Sequence, residues 1–150
     1  MTTPARPNVF GTILWAADGS TPSDAAHDYV RDTCESRGST LRIVHVARPL
    51  GGAEGERRIA KLKATTSSLR RRGVDASLHV VRGAIRSPAD QIAAVARMVD
   101  ADLVLVSARG RSPAVGALAG SVTQRLLTEA PCPVLIFPAP TTPAATRRSA

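Results

Sequence analysis

The sequence predicts an α/β fold: a five-stranded, open, mostly parallel sheet with helices on both faces. Two observations carry this expectation. Between residues 9 and 137 short apolar runs alternate five times with stretches of helical periodicity, the pattern of repeated strand–helix units. The apolar runs are also continuous rather than alternating, as in Leu103–Val106, which suits strands covered on both sides. Right-handed crossovers between successive parallel strands then place helices above and below the sheet. A chain of 150 residues is long enough for one such domain around a single core.

Taken in order, Met1–Asn8 carries two prolines and no periodicity and reads as a loose tail. Val9–Ala17 reads as the first strand, stopping at Asp18-Gly19. Thr21-Pro22-Ser23-Asp24 supplies an N-cap, a proline at the first helical position and an acid at the third, a capping box in its Asp form. Ala26, Tyr29, Val30, Thr33 and Cys34 follow at helical spacing, with Gly38 just past the end at Arg37. Leu41–Ala47 is the second strand, and Arg48–Gly55 reads as a connection. Glu56–Arg72 is expected to be a weakly amphipathic helix anchored by Ile59, Leu62 and Leu69 and closed by Gly73.

Ala76–Arg82 is the third strand. Ser87-Pro88-Ala89-Asp90 repeats the capping phrase and opens a helix with Ile92, Val95, Ala96 and Val99 on one face. Leu103–Val106 is the fourth strand, Ser121–Glu129 the next helix and Pro133–Phe137 the fifth strand. Pro138–Ala150 has the composition of a disordered basic tail. The domain is therefore expected over residues 9–137, with tails at 1–8 and 138–150.

Bulk composition narrows the class. A hydrophobic fraction of 43% suits a globular protein, no run approaches the length of a membrane span, and the first residues lack the pattern of a signal peptide. Two cysteines, Cys34 and Cys132, do not make a disulfide framework, so a cytoplasmic location is expected. The formal charge is +8, but the cations are spread along helices and tails and aromatics make up only 3%. Stacking platforms for bases are therefore scarce. Arg70-Arg71-Arg72 reads as a solvated helix end whose charge suits the helix dipole, and nucleic acid is the minor reading for the basic balance.

The stretch Asp102–Thr123 carries the chemistry. A buried strand breaks at Ser107 into a loop rich in Gly, Ser and Arg, which re-enters a helical pattern at Gly120-Ser121-Val122. Strand, small-residue loop and helix N-terminus form an arrangement that holds phosphates. Glycines let backbone N–H groups approach an anion, and the first helical turn offers unpaired donors and a favourable dipole. Arg109 and Arg111 flank Gly110 and have the fork geometry that suits phosphate oxygens.

Ser107-x2-Gly110-x9-Gly120-Ser121-Val122 resembles the nucleotide loop of the universal stress protein family, whose ATP-binding members read Gly-x2-Gly-x9-Gly-Ser/Thr. Ile13–Ser20 resembles that family's first strand and turn, His45-Val46 the end of its second strand, and Ala130–Ile136 its last strand. The likeness runs from about Phe10 to Phe137. It implies strand order 3-2-1-4-5, with ligand bound at the reversal between strands one and four, beyond the strand carboxyl ends. It implies ATP, with Mg2+, as the bound cofactor: Gly110, Gly120 and Ser121 to the phosphates, Asp18 near the ribose or a nucleotide-bound metal, the Val46 backbone to adenine, and Ala16 and Val106 lining the pocket beside Val122. Ser107 stands where those members carry their first Gly, so weakened or retuned binding is expected. It also implies a homodimer through the last strand, at Val134, Leu135, Ile136 and Phe137.

Each residue also has a plainer reading. Gly110 serves as a turn glycine, Ser121 as an N-cap, Asp18 as an Asx-type turn residue and Val46 as a core residue. His45, alone in an apolar strand, reads as a packed core histidine, because His27 and His79 lie on other elements and no metal spacing exists. No Gly-Lys-Ser/Thr phosphate loop or Gly-x-Ser-x-Gly elbow is present, so binding with at most slow hydrolysis is expected. The function read from these residues is a stress-response regulatory module that binds an adenine nucleotide. The alternatives are a dimeric interaction protein of the same fold without nucleotide, or a cyclic-AMP binder.

Overall fold

The structure, a computed structural model, describes residues 10–19, 24, 26–82, 86–107 and 121–138. Its five strands are β1 (Thr12–Ala16), β2 (Thr40–Ala47), β3 (Ala76–Arg82), β4 (Leu103–Ser107) and β5 (Val134–Phe137). The helices between them are α1 (His27–Arg37), α2 (Gly52–Arg71), α3 (Pro88–Met98) and α4 (Ser121–Glu129). The sheet order is β3-β2-β1-β4-β5 and every pairing is parallel, as expected. The tails expected at 1–8 and 138–150 fall outside the described residues, apart from Pro138.

The two-residue period of the strands sorts the core into two layers. Ile13 and Trp15 of β1, Leu41 and Ile43 of β2 and Leu103 and Leu105 of β4 face α1 and α2, against Val30, Cys34, Leu62 and Leu69. Leu14, Val44, Val104 and Val106 face the other way, against Ile92, Val95 and Ala96 of α3 and Leu126 of α4. Leu14, Leu105 and Leu126 are wholly buried, and side chains of this size each contribute about 1.5–3 kcal/mol. The apolar positions named for each helix in the sequence pack inward, except Tyr29, which is exposed at the side of α1 with its ring 5.6 Å from that of Phe137.

Chain reversals at the strand N-terminal end are closed by helix caps. Gly38 (φ 65°) donates its N–H to the Cys34 carbonyl at 2.9 Å. After α2, Gly73 (φ 88°) donates to Arg70 O at 3.0 Å and Val74 to Leu69 O at 3.1 Å. With Leu69 and Val74 both buried, this is a complete Schellman motif. Asp100 (φ 51°) closes α3 the same way: it bonds to Arg97 O at 3.2 Å and Ala101 bonds to Ala96 O at 2.9 Å. Asp102 then clamps β4 to β1, its carboxylate accepting from Thr12 N at 2.8 Å while its own N–H donates to Thr12 O at 2.8 Å.

Element ends differ from the sequence expectation at several points. α2 begins at Gly52, not Glu56. Gly55 N–H reaches Gly51 O at 2.9 Å, and Glu54 in the first turn pairs with Arg57 and Arg58. These i,i+3 and i,i+4 contacts and the dipole outweigh the weak propensity of three glycines. β1 spans Thr12–Ala16 rather than Val9–Ala17, because Phe10 sits in a turn where the Arg37 guanidinium lies 4.3 Å from its ring centroid. β4 extends to Ser107, which pairs with Phe137. β5 starts at Val134, since Pro133 has no N–H to donate and only accepts from Val104 N at 3.0 Å.

The second capping phrase acts as expected: Ser87 Oγ accepts from Asp90 N at 3.2 Å with Pro88 opening the helix. In the first, Thr21, Pro22 and Ser23 lie outside the described residues. Asp24 is helical and pairs with Lys61 of α2, and Ala26, just before α1, makes no side-chain cap bond.

Candidate functional site

Strand order reverses between β1 and β4, and the candidate residues gather at the carboxyl ends of those strands and of β2. Ala16 is the Cα partner of Val44 and Val106, and Val46 is the partner of Val81. Ala16, Val46, Val106 and Val122 belong to one apolar layer, on the α3 and α4 face. The structure thus brings together four of the eleven candidates as a continuous apolar surface. Ser121 is the exposed first residue of α4, a helix held down by the wholly buried Leu126. Arg109, Gly110, Arg111 and Gly120 lie outside the described residues.

The exit of β1 is built from backbone bonds. Ala17 N–H donates to Val44 O at 3.0 Å, and Ala17 O accepts from His45 Nδ1 at 3.0 Å. A carbonyl can only accept, so Nδ1 carries the proton. His45 is 4% exposed, which makes it the packed core histidine expected from the sequence. It fixes the point at which the half-buried Asp18 leaves the sheet.

Gly19 follows with φ 75°, and a Cβ placed there would lie 3.1 Å from Arg58 Cβ. Both the positive φ and the close approach therefore favour glycine here. Lys61 Nζ donates to Gly19 O at 3.3 Å and pairs with Asp24. Arg58 and Lys61 brace this turn from α2. The sequence reading passed over them, and no local pattern marks them among the many cations of this helix.

Ser107 ends β4. By strand alternation its side chain points away from Val106, toward the α1 side of the sheet. Its Oγ is fully enclosed and has no hydrogen-bond partner among the described residues. The same is true of Trp15 Nε1 on β1, in a side chain 2% exposed whose ring lies 6.3 Å from that of His27. An enclosed polar atom without a partner costs about 1–3 kcal/mol, so such atoms are few and call for a cause. Ser39 Oγ, ahead of β2, is another such atom, while Trp15 and Ser107 sit on the two central strands that flank the reversal. The indole was not singled out in the sequence, where Trp15 reads simply as an apolar strand residue.

The described residues hold no group of three or more His, Cys, Asp or Glu that could bind a metal ion. Burial, and then the nearby Glu35 charge, pushes the Cys34 thiol up to about 11. Burial, and then Asp102, also raises Cys132. Neither thiol is set up as a nucleophile. No described helix is long and apolar enough to cross a membrane.

Comparison with known proteins agrees with this fold. The universal stress protein family matches residues 10–138. A universal stress protein of Thermus aquaticus is 34% identical over 143 residues, covering 85% of this chain and 98% of the relative. Among solved structures, a universal stress protein in complex with cAMP is 26% identical with a TM-score of 0.67, over 87% of this chain and 98% of that one. A universal stress protein from Archaeoglobus fulgidus in complex with dAMP is 22% identical with a TM-score of 0.63, over 86% of this chain and 98% of that one.

Proposed function

The chain belongs to the universal stress protein family, and on that premise we propose that it binds an adenine nucleotide, ATP with Mg2+, in the β1–β4 crevice as a regulatory module of the stress response. The observation that carries the reading is the strand-order reversal between β1 and β4, with an apolar layer at the strands' carboxyl ends, the place where open parallel sheets bind ligands. The apolar layer of Ala16, Val46, Val106 and Val122 suits an adenine ring, which the Val46 backbone orients. Asp18 reaches the ribose. The N–H groups in the first turn of α4, with Ser121, receive the phosphates, joined by Gly110 and Gly120 through their backbone and by Arg109 and Arg111 through charge. Mg2+ would neutralise phosphate charge, and Asp18 is the carboxylate that would hold it.

Cyclic AMP is the second reading, favoured by the relative solved with it. It would use the same apolar layer and demand less of the loop. The protein works as a cytoplasmic homodimer paired through β5. All four residues of that edge strand, Val134, Leu135, Ile136 and Phe137, are apolar and only half-buried, which suits pairing with a second copy.

Calorimetric titration with Mg2+–ATP and with cAMP, on wild type, Gly120→Val and Ser107→Gly, tests the proposal. Saturable ATP binding that is weakened at least about tenfold in Gly120→Val, with unchanged melting, is the expected result. Tighter cAMP than ATP binding, indifferent to Gly120→Val, would select the second reading. No binding of either nucleotide by wild type would make the chain an interaction module of the same fold.

A further inference from the structure

At the opposite end of the sheet a cavity of about 590 Å3 opens where β2 and β3 begin. Its polar lining comes from three elements: Arg42 of β2, Arg70 from the last turn of α2, and Ser77 and His79 of β3, with Asp75 at its rim. The Schellman turn at Gly73 creates this arrangement by folding the end of α2 back against β3, where Arg70 Nε donates to Ala76 O at 2.6 Å. Register does the rest. Arg42 is the Cα partner of Ser77, and Val44 of His79, so Arg42, Ser77 and His79 share one face of the sheet.

The donors are positioned and only partly used. Arg42 bonds through Nη1 alone, to Leu41 O and to Asp75 Oδ1, both at 3.3 Å. Its Nε and Nη2 have no partner among the described residues. Arg70 uses only Nε, so both of its terminal nitrogens are likewise unspent, and no described carboxylate pairs with it. Ser77 Oγ and His79 Nε2 lie 3.4 Å apart. Two guanidinium groups face one carboxylate, so the cavity is net positive even with His79 neutral. It is an open groove whose volume falls in the small-molecule range.

We propose that this groove is an anion site for a small phosphoryl-bearing ligand, separate from the nucleotide crevice. The guanidinium forks of Arg42 and Arg70 bind the phosphoryl oxygens from two sides, and the Ser77 hydroxyl and His79 complete the shell.

Two probes distinguish free phosphate from a phosphate ester. Inorganic phosphate and glycerol 3-phosphate would be titrated into wild type, Arg42→Gln, Arg70→Gln and Gly120→Val, following the backbone amide signals of Ser77 and His79 by NMR. Saturable shifts at those amides, weakened about tenfold by either arginine substitution and untouched by Gly120→Val, are expected. Tighter binding of glycerol 3-phosphate would assign an ester and equal or weaker binding free phosphate; each supports the site. Arg70 is exposed, so its variant keeps the fold even where Arg42→Gln does not. No saturable shift with either probe overturns the proposal, as does binding that survives both arginine substitutions or is lost only in Gly120→Val. The nucleotide proposal stands or falls separately.

Discussion

The two ends of the sheet are finished in different ways. Where the strands begin, the chain closes on itself: Gly38, Gly73 and Asp100 cap three helices, and Asp102 and Thr12 satisfy each other across β1 and β4. Where the strands stop, two enclosed polar atoms, Trp15 Nε1 and Ser107 Oγ, have no partner among the described residues. The first end is held by backbone caps, while at the second the enclosed atoms lie on the two strands that flank the reversal. Substitutions at the two ends should therefore separate folding from binding.

The largest effect is expected where the two concerns meet. His45→Leu removes the donor to Ala17 O and leaves a buried carbonyl unsatisfied, at a cost of about 1–3 kcal/mol. Because that bond fixes the exit of β1, denaturant unfolding and nucleotide titration should both register the change. Unaltered nucleotide affinity would uncouple His45 from the crevice. Gly73→Ala is the pure stability case. No atom lies within 4 Å of a Cβ placed there, so the cost is backbone strain at φ 88°, about 1–2 kcal/mol. Thermal melting should fall with nucleotide affinity unmoved.

Ser107→Ala should invert that behaviour. Removing an enclosed hydroxyl with no partner among the described residues should raise the stability of the ligand-free protein by up to about 1 kcal/mol, with nucleotide affinity changed less than by Gly120→Val. A fall in stability would show that the hydroxyl is satisfied within the protein. Asp100→Gly relieves the left-handed Asp at φ 51° and should add about 0.5 kcal/mol, seen as a small rise in the melting midpoint.

The smallest effect is a matter of pH. The hydrogen bond from Arg72 holds the exposed Glu35 carboxyl below its ordinary value. The stability this contributes is present above the unfolded-state value and is lost as pH falls through the folded one. Glu35→Gln should melt slightly below wild type at neutral pH and level with it in acid, and salt should narrow the gap.

What was legible in the sequence follows the range of the forces involved. Ser87-Pro88-Ala89-Asp90 announced α3 because capping is local, and Gly38 and Gly73 marked helix ends because a positive φ favours glycine. Asp100 does the same task as Gly73 but was not foreseen, since an Asp in that conformation carries no mark in a single sequence. The glycines before Glu56 concealed the start of α2, whose support comes from Glu54 pairing with Arg57 and Arg58. At the site, the switch point and the apolar lining came from the family resemblance, since strand order and pocket contacts are long-range. The bracing of Gly19 by Arg58 and Lys61 could not be read at all, because it depends on how α2 lies over the β1 exit.

The clamp between Thr12 and Asp102 joins residues 90 positions apart, and it bears on the order in which the chain can assemble. β1 lies at the centre of the sheet, yet one of its neighbours, β4, follows it by most of the chain. During synthesis β1, β2 and β3 can associate first, as successive right-handed crossovers with modest loop closures. Until β4 emerges, β1 presents an open edge. The sheet becomes continuous only on its arrival, so folding is expected to be two-stage and slow in its second step.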